Sequence, residues 1–271
     1  DGFEVIELSN DAVCANIVVN IGNSLYSLSH DNSEKLYFPY TFDTYKSNTK
    51  LAGNPFLHPW ANRLEDDFIL VENHTHTFLK EAQHLIYRDG NNLPMHGLLL
   101  KTDRWKTIDL YEEGNVCYHV AELIFDDEEW LSLFPFKHRI QMKHQLKNNE
   151  LTIETIIINH DEKSMPISFG YHPYFLIDSQ KREQYTVTVP ANNLIETNDK
   201  MIPTGNILPK ENFFDVKNNQ VNLQDVSLDN GFENLIFNDS KQAVFSINEL
   251  QIIFDKHYLF VQIYAPNNMD K

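Results

Sequence analysis

The sequence predicts an all-β protein, and three observations carry that expectation. Runs of β-branched and aromatic residues alternate with polar ones along much of the chain, clusters of Asn, Asp, Ser, Gly and Lys separate them, and no window shows a long, capped apolar period of 3.6 residues. The chain has 271 residues with no repeat, low-complexity run or linker to divide it. A single domain over 1–271 is therefore expected, since large all-β domains often run to about 200–250 residues as one unit.

Taken in order, the first irregular element is GNPFLHPWANRL, Gly53 to Leu64, where two prolines and an asparagine break any regular strand. Arg63 there is either a surface arginine closing a loop ion pair or a planar donor fork aimed at hydroxyls or a carboxylate. His74 and His76 in NHTHTF have the spacing of a strand-borne metal pair, but the surroundings are polar and no glutamate follows at a cupin-like spacing, so a solvated turn is expected. In NNLPMHGLL, Asn91 to Leu99, Gly97 directly behind His96 signals close backbone approach or a positive φ. His96, between Met95 and Leu98, reads as a core histidine or a ligand contact. DEEWLSLF can form one short helical turn and nothing longer.

The clearest strand is HRIQMKHQL. Ile140, Met142, His144 and Leu146 alternate with Arg139, Gln141, Lys143 and Gln145, the pattern of a half-buried antiparallel strand. A turn at Asn148-Asn149 leads into ELTIETIIIN, which predicts a hairpin. In ISFGYHPYFLI, Ile167 to Ile177, Pro173 has no N–H for a ladder, so the strand ends, bulges or lies at an edge beside His172. An imidazole at such a strand end either caps the sheet or meets a ligand. The polar stretch from Asn192 to Asn222 contains Pro203, Gly205 and Pro209 and reads as a long loop. In SLDNGFENLIF, Asp229 precedes Asn230-Gly231, a turn signal that makes its carboxylate an Asx-turn acceptor or a ligand group. QYTVTVP, QAVFSI, LQIIFD and YLFVQIYAP are further strands.

Composition limits the function classes. A hydrophobic fraction of 42% is enough for a sizeable core. A net charge of −17 and a pI near 5.0 disfavour nucleic acid and anionic membrane surfaces as partners. Cys14 and Cys117 show no CxxC or zinc spacing and read as buried free thiols, which implies a reducing, cytoplasmic setting. No apolar run approaches the roughly 20 residues needed to span a bilayer, and no signal peptide is visible. The chain begins at Asp1, so a trimmed N-terminus is expected.

Read together, these segments resemble the aldose 1-epimerase (galactose mutarotase) family. The pieces IGNSLYSL, NPFLHPWANRL, NLPMHG, LFPFKHRI, FGYHPYF, LDNGF and FVQIYAP follow the family's order from Ile21 to Pro266. The resemblance implies a galactose-mutarotase-like β-supersandwich of large, mostly antiparallel sheets, and the interconversion of α and β anomers of a free hexose. It implies His172 as general acid, His96 as the histidine near the ring oxygen, and Arg63 and Asp229 as sugar-binding groups. Trp60, Tyr171 and Tyr174 would offer rings to the sugar's apolar face. No metal, nucleotide or other cofactor is required. HPYF in place of the family's HSYF leaves the sugar open.

One departure stands out. The resemblance implies a glutamate base just after the QIY strand, yet the chain reads FVQIYAPNNMDK and no glutamate follows Tyr264; Asp270 is the penultimate residue. Either a C-terminal segment carrying the base, with its strand or strands, is missing from this chain, or the protein binds carbohydrate without turning it over. The final residues resemble a turn into a further strand and favour the first. A metal-dependent, cupin-like β protein using several of the twelve histidines is a third reading. A preference for hexose 6-phosphates is a variant of the first. Arg63 and Arg88, the two arginines near these motifs, are a thin set for a phosphate clamp.

Overall fold

Strict alternation fixes the longest ladder. In the computed structural model, which describes residues 2–71, 74–209, 219–224 and 226–267, strand His138–Lys147 buries every second residue: His138, Ile140, Met142, His144 and Leu146. It pairs with Glu150–Asn159 across the Asn148 turn, in register from His138↔Asn159 to Lys147↔Glu150. On its other side it pairs with Val116–Phe125, which in turn pairs with Lys106–Glu113. The Asn148 φ of +52° suits an asparagine turn.

The chain divides into two compact units, Asp1–Leu176 and Ile177–Lys271. The first holds this four-stranded antiparallel sheet and a second one, in the order Val5–Ser9, Val13–Val18, Ser24–His30, Ser33–Glu34. Its core gathers Leu8, Ile17, Phe56, Leu99, Leu123, Phe125, Leu133 and Ile140, all nearly inaccessible. Among the described residues two six-residue α-helices punctuate it. Phe42–Ser47 starts at Thr41, whose hydroxyl accepts the Thr44 N–H; Glu128–Leu133, the turn expected in DEEWLSLF, starts at Asp127, whose carboxylate accepts the Glu129 N–H. The first of these is not legible in the sequence pattern, being too short to show a period. His74–Thr77, expected as a turn, is a strand paired with Phe68–Val71, and His76 Nε2 lies 3.1 Å from the Ser132 carbonyl. Cys14 and Cys117 are free but half-buried rather than buried.

Two buried histidine pairs lie in this unit. His58 and His138 approach Nε2 to Nε2 at 2.8 Å, and His138 Nδ1 donates to the Phe136 carbonyl at 2.8 Å. That bond leaves His138 Nε2 as the acceptor of a proton carried by His58. His119 and His144, opposite each other in the ladder, stack at 5.6 Å. Burial pushes His144 down to about 3 and His119 to about 4, and it holds His58 and His138 below the usual imidazole range.

The second unit is also built from strands. One sheet runs Gln220–Asn222, Thr186–Thr188, Gln242–Ile247, Leu250–Asp255; the other runs Pro203–Pro209, Ala191–Thr197, Leu228–Leu235, Val261–Ala265. Val189, Leu194, Leu223, Phe232 and Ala243 form its core. Two expectations fail here. The stretch from Asn192 to Asn222 is not one long loop: Ala191–Thr197 and Pro203–Pro209 make a hairpin, and Gln220–Asn222 is a strand. The prolines are tolerated because they stand at the two ends of an edge strand. Asn230-Gly231 is not a turn either, since Leu228–Leu235 runs straight through it, with Asn230 opposite Ile263. Gly231 is small for packing: a Cβ there would sit 3.1 Å from Gln262 Oε1 and 3.2 Å from Ile195.

Candidate functional site

The HPYF histidine sits where its strand stops. The paired strand is only Gly170–Tyr171, against Phe56–Leu57. The chain beyond it remains anchored, because His172 N–H donates to the Pro55 carbonyl at 3.1 Å and Tyr174 N–H to the Gly53 carbonyl at 2.8 Å. Alternate amides thus face the 53–57 segment, and the missing donor of Pro173 falls on the side that this segment does not use. The His172 ring then stacks on Tyr174, at 4.5 Å and 10°.

The MHG loop brings the second imidazole to the first. His96 has φ +64° and Gly97 +74°. The Leu98 amide donates to the His58 carbonyl at 2.8 Å, which draws the loop flat onto that segment. A Cβ at Gly97 would lie 2.2 Å from the His58 carbonyl oxygen. Gly97→Ala is therefore expected to destabilise this unit by at least about 2 kcal/mol, from strain and overlap together, seen as a lower urea midpoint at unchanged slope. A midpoint within error of wild type contradicts the geometry.

The His96 and His172 rings meet edge to face, with centroids 5.2 Å apart at 87°. His96 is 7% exposed, and its Nδ1 accepts the main-chain N–H of Asn62 at 3.2 Å. An Nδ1 that accepts leaves the proton of the neutral ring on Nε2. Burial, then the His172 ring and the Arg63 charge, push His96 down to about 3. At neutral pH it is an uncharged Nε2–H donor. The Tyr87 ring lies near-parallel to it, at 6.2 Å and 17°.

Arg63 belongs to the same loop system, through a bridge to Met95. Its Nε donates to Asp89 Oδ2 at 2.7 Å and its Nη1 to Asn62 Oδ1 at 3.2 Å. Nη2 has no hydrogen-bond partner among the described residues. Of the two readings of Arg63, the ion pair is the one observed, with the side chain 18% exposed. Burial would raise the Asp89 carboxyl, but the Arg63 bond and the Leu93 and Asn91 amides outweigh it and hold it below the usual range.

Three of the expected residues therefore converge in the first unit: Arg63, His96 and His172. Trp60 does not join them as an open platform. It is 4% exposed and stacked on Phe78 at 5.5 Å, so its ring is taken up by the core. Tyr171 packs against that core and its hydroxyl bonds to Thr155. The ring beside His172 is Tyr174. Tyr87 and Asp89 were missed, because the RDGNN signal marks a turn without showing what its side chains reach. Asp229 lies in the second unit, where Gln262 Nε2 donates to its Oδ1 at 2.7 Å. Gln262, another residue not anticipated, faces it from the Val261–Ala265 strand. Asp270 lies outside the described residues. Among the described residues no group of three or more His, Cys, Asp or Glu is placed to hold a metal ion. Among the described residues no helix is long and apolar enough to cross a membrane.

The family model described as aldose 1-epimerase matches residues 4–271. The chain belongs to the aldose 1-epimerase family. Solved structures agree at the level of the fold. A galactose mutarotase-like protein from Clostridium acetobutylicum superposes with a TM-score of 0.81 at 19% identity, over 97% of this chain and 81% of that one. The galactose 1-epimerase of Lactobacillus acidophilus gives 0.75 at 18%, over 99% and 80%. A GalM/aldose epimerase homologue from Caenorhabditis elegans gives 0.66 at 16%, over 90% and 75%. The aldose 1-epimerase assignment makes the fold all-β and galactose-mutarotase-like, and it places the chain with isomerases of the mutarotase type.

Proposed function

We propose that this aldose 1-epimerase family member interconverts the α and β anomers of a free hexose by acid/base ring opening and closure. The observation that carries the reading is the perpendicular contact of His96 and His172, one ring fixed as a neutral donor and the other beside it at a strand end. Anomer exchange needs the ring oxygen protonated as the anomeric hydroxyl loses its proton. The C1–O5 bond then breaks, the aldehyde rotates about C1–C2, and closure on the other face reverses both proton transfers. In this reading His172 gives its proton to the ring oxygen and recovers it on closure, as an imidazole can near neutral pH. His96 Nε2–H donates a hydrogen bond near that oxygen, and the free edge of Arg63 holds hydroxyls. The Asp229 carboxylate, steadied by Gln262, keeps its reading as a sugar-hydroxyl acceptor.

The proton from the anomeric hydroxyl goes to a base, and the family resemblance implies a glutamate for that role. A second reading is a carbohydrate-binding protein on the same fold that does not turn its ligand over, since the Arg63 and His96 donors would hold a sugar in either case. Polarimetry on freshly dissolved α-glucose and α-galactose, with calorimetry on the same sugars, separates the two. Anomer equilibration above the buffer rate is the expected result. Binding with no rate above buffer favours the second reading, and neither binding nor rate on any common aldose defeats both.

A further inference from the structure

The sheet that carries Asp229 is thinnest at the end where Asp229 lies. The ladder between Leu228–Leu235 and Ala191–Thr197 runs from Ala191↔Leu235 to Ile195↔Gly231 and goes no further. From Leu228 to Asn230 the ladder partner is Val261–Ala265, in register Leu228↔Ala265, Asp229↔Tyr264 and Asn230↔Ile263. Val261–Ala265 is itself the edge strand of its sheet. A two-stranded ribbon is marginally stable on its own. The Asp229–Gln262 bond nevertheless crosses this ribbon on the diagonal, since Asp229 stands opposite Tyr264 and Gln262 opposite Gly231. Its 2.7 Å length is kept only while the two strands hold their spacing and register.

Arg182 closes that end. Its Nε donates to the Leu223 carbonyl at 3.1 Å and its Nη1 to the Pro266 carbonyl at 3.3 Å. Its Nη2 donates to the carbonyls of Val226 at 3.2 Å and Ala265 at 3.1 Å. One guanidinium therefore ties the segment that enters the Asp229 strand to the residues that end the Gln262 strand. The planar fork of arginine can reach four carbonyls in this way, whereas a lysine ammonium offers three donors at a single point. The turn that carries Arg182 is fixed in its own right. The Asp178 side chain accepts the Gln180 N–H at 3.0 Å, and the Tyr185 N–H donates to the Arg182 carbonyl at 3.0 Å. The side-chain amides of Asn222 and Asn248 donate to the Glu183 and Gln184 carbonyls at 2.8 and 2.9 Å.

We propose that Arg182 is a positioning residue for the Asp229 carboxylate. By clamping the open end of the strand pair it holds Gln262 Nε2 on Asp229 Oδ1, which leaves Oδ2, without a hydrogen-bond partner among the described residues, aimed at a ligand hydroxyl. The inference deepens the function proposed above and rests on Asp229 being a sugar-hydroxyl acceptor. Arg182 itself touches no ligand and acts through the two strands.

The test uses the full chain, with glucose and galactose as probes. The side-chain amide of Gln262, assigned by its absence from Gln262→Glu, is followed by heteronuclear NMR without sugar. Exchange NMR gives kcat and KM, and calorimetry gives Kd where there is no turnover. Arg182→Ala is expected to shift that amide and to raise KM or Kd about tenfold with kcat nearly unchanged, the signature of lost ground-state binding. Guanidinium added well below denaturing levels should refill the gap and recover both readouts. Arg182→Lys covers the case in which the alanine variant does not fold. It keeps the charge but cannot span four carbonyls, so it should show the same two changes at smaller size. Lys181→Ala breaks the exposed ion pair to Asp178 in the same turn and should change neither readout. An unmoved Gln262 amide in a folded Arg182 variant overturns the proposal. An amide that moves while KM and Kd stay constant upholds the clamp and defeats the reading of Asp229 as a sugar group. Wild type that binds neither sugar also defeats that reading, and the amide signal still decides the role of Arg182.

Discussion

His172→Ala is expected to lower kcat for anomer exchange by about 10²–10⁴-fold, the usual worth of a positioned proton donor, with a smaller change in KM. The ring is held by stacking on Tyr174 and lies against His96. Its main-chain amide, bound to the Pro55 carbonyl, does not depend on the side chain. The substitution should therefore leave the fold in place and remove the chemistry. His172→Asn makes the reading sharper, since it retains hydrogen bonding but carries no proton to give near neutral pH. A kcat within threefold of wild type for His172→Asn would assign the proton to another group. His96→Gln should behave differently: an amide can still donate toward a ring oxygen, so part of the rate should survive.

The second large effect is on stability against acid. Burial holds His96 and His144 at about 3 and His119 at about 4, whereas an unfolded histidine titrates near 6.5. Below about pH 6.5 the unfolded chain binds more protons than the folded one. Each group's contribution is therefore full above that pH and is lost as pH falls toward the folded value. The slope is about 1.4 kcal/mol per pH unit for each group, so that each has lost about 2 kcal/mol at pH 5. Three such losses rival the roughly 5–15 kcal/mol that keeps a protein folded. His58 and His138 push in the same direction. Urea unfolding between pH 8 and pH 5, followed by the fluorescence of the buried Trp60, Trp105 and Trp130, should show a steep fall in the midpoint. His144→Leu should flatten the fall by about one proton's worth of slope. A midpoint at pH 5 equal to that at pH 7 would contradict this account.

How much of this was readable in the residues depended on whether a local rule and the tertiary structure agreed. In His138–Asn159 they agree: a period of two with one buried face admits a single register. Gly97 also declared itself, since a glycine behind a histidine in a loop announces a tight approach. Pro203 and Pro209 misled, because the rule that prolines break strands holds for central strands and theirs lies at an edge. Asn230-Gly231 misled because a small residue can serve packing as well as turning. The family resemblance offered Trp60 as a platform, and only its stacking on Phe78 shows that the ring is spent. Asp89 could not be found at all from the sequence, because its partner Arg63 lies 26 residues earlier and no periodic signal links the two.

The bond from the Asn62 amide to His96 Nδ1 has a consequence for engineering. The donor is main chain, so no side-chain exchange at position 62 removes it directly. Asn62 lies at φ +62°, a conformation asparagine and glycine accept and β-branched residues resist. Asn62→Gly should keep the imidazole giving outward, whereas Asn62→Val would unseat the amide and let the ring turn over. The direction in which His96 passes hydrogen bonds is thus written into the backbone, and a library that varies only the groups touching the sugar would never reverse it.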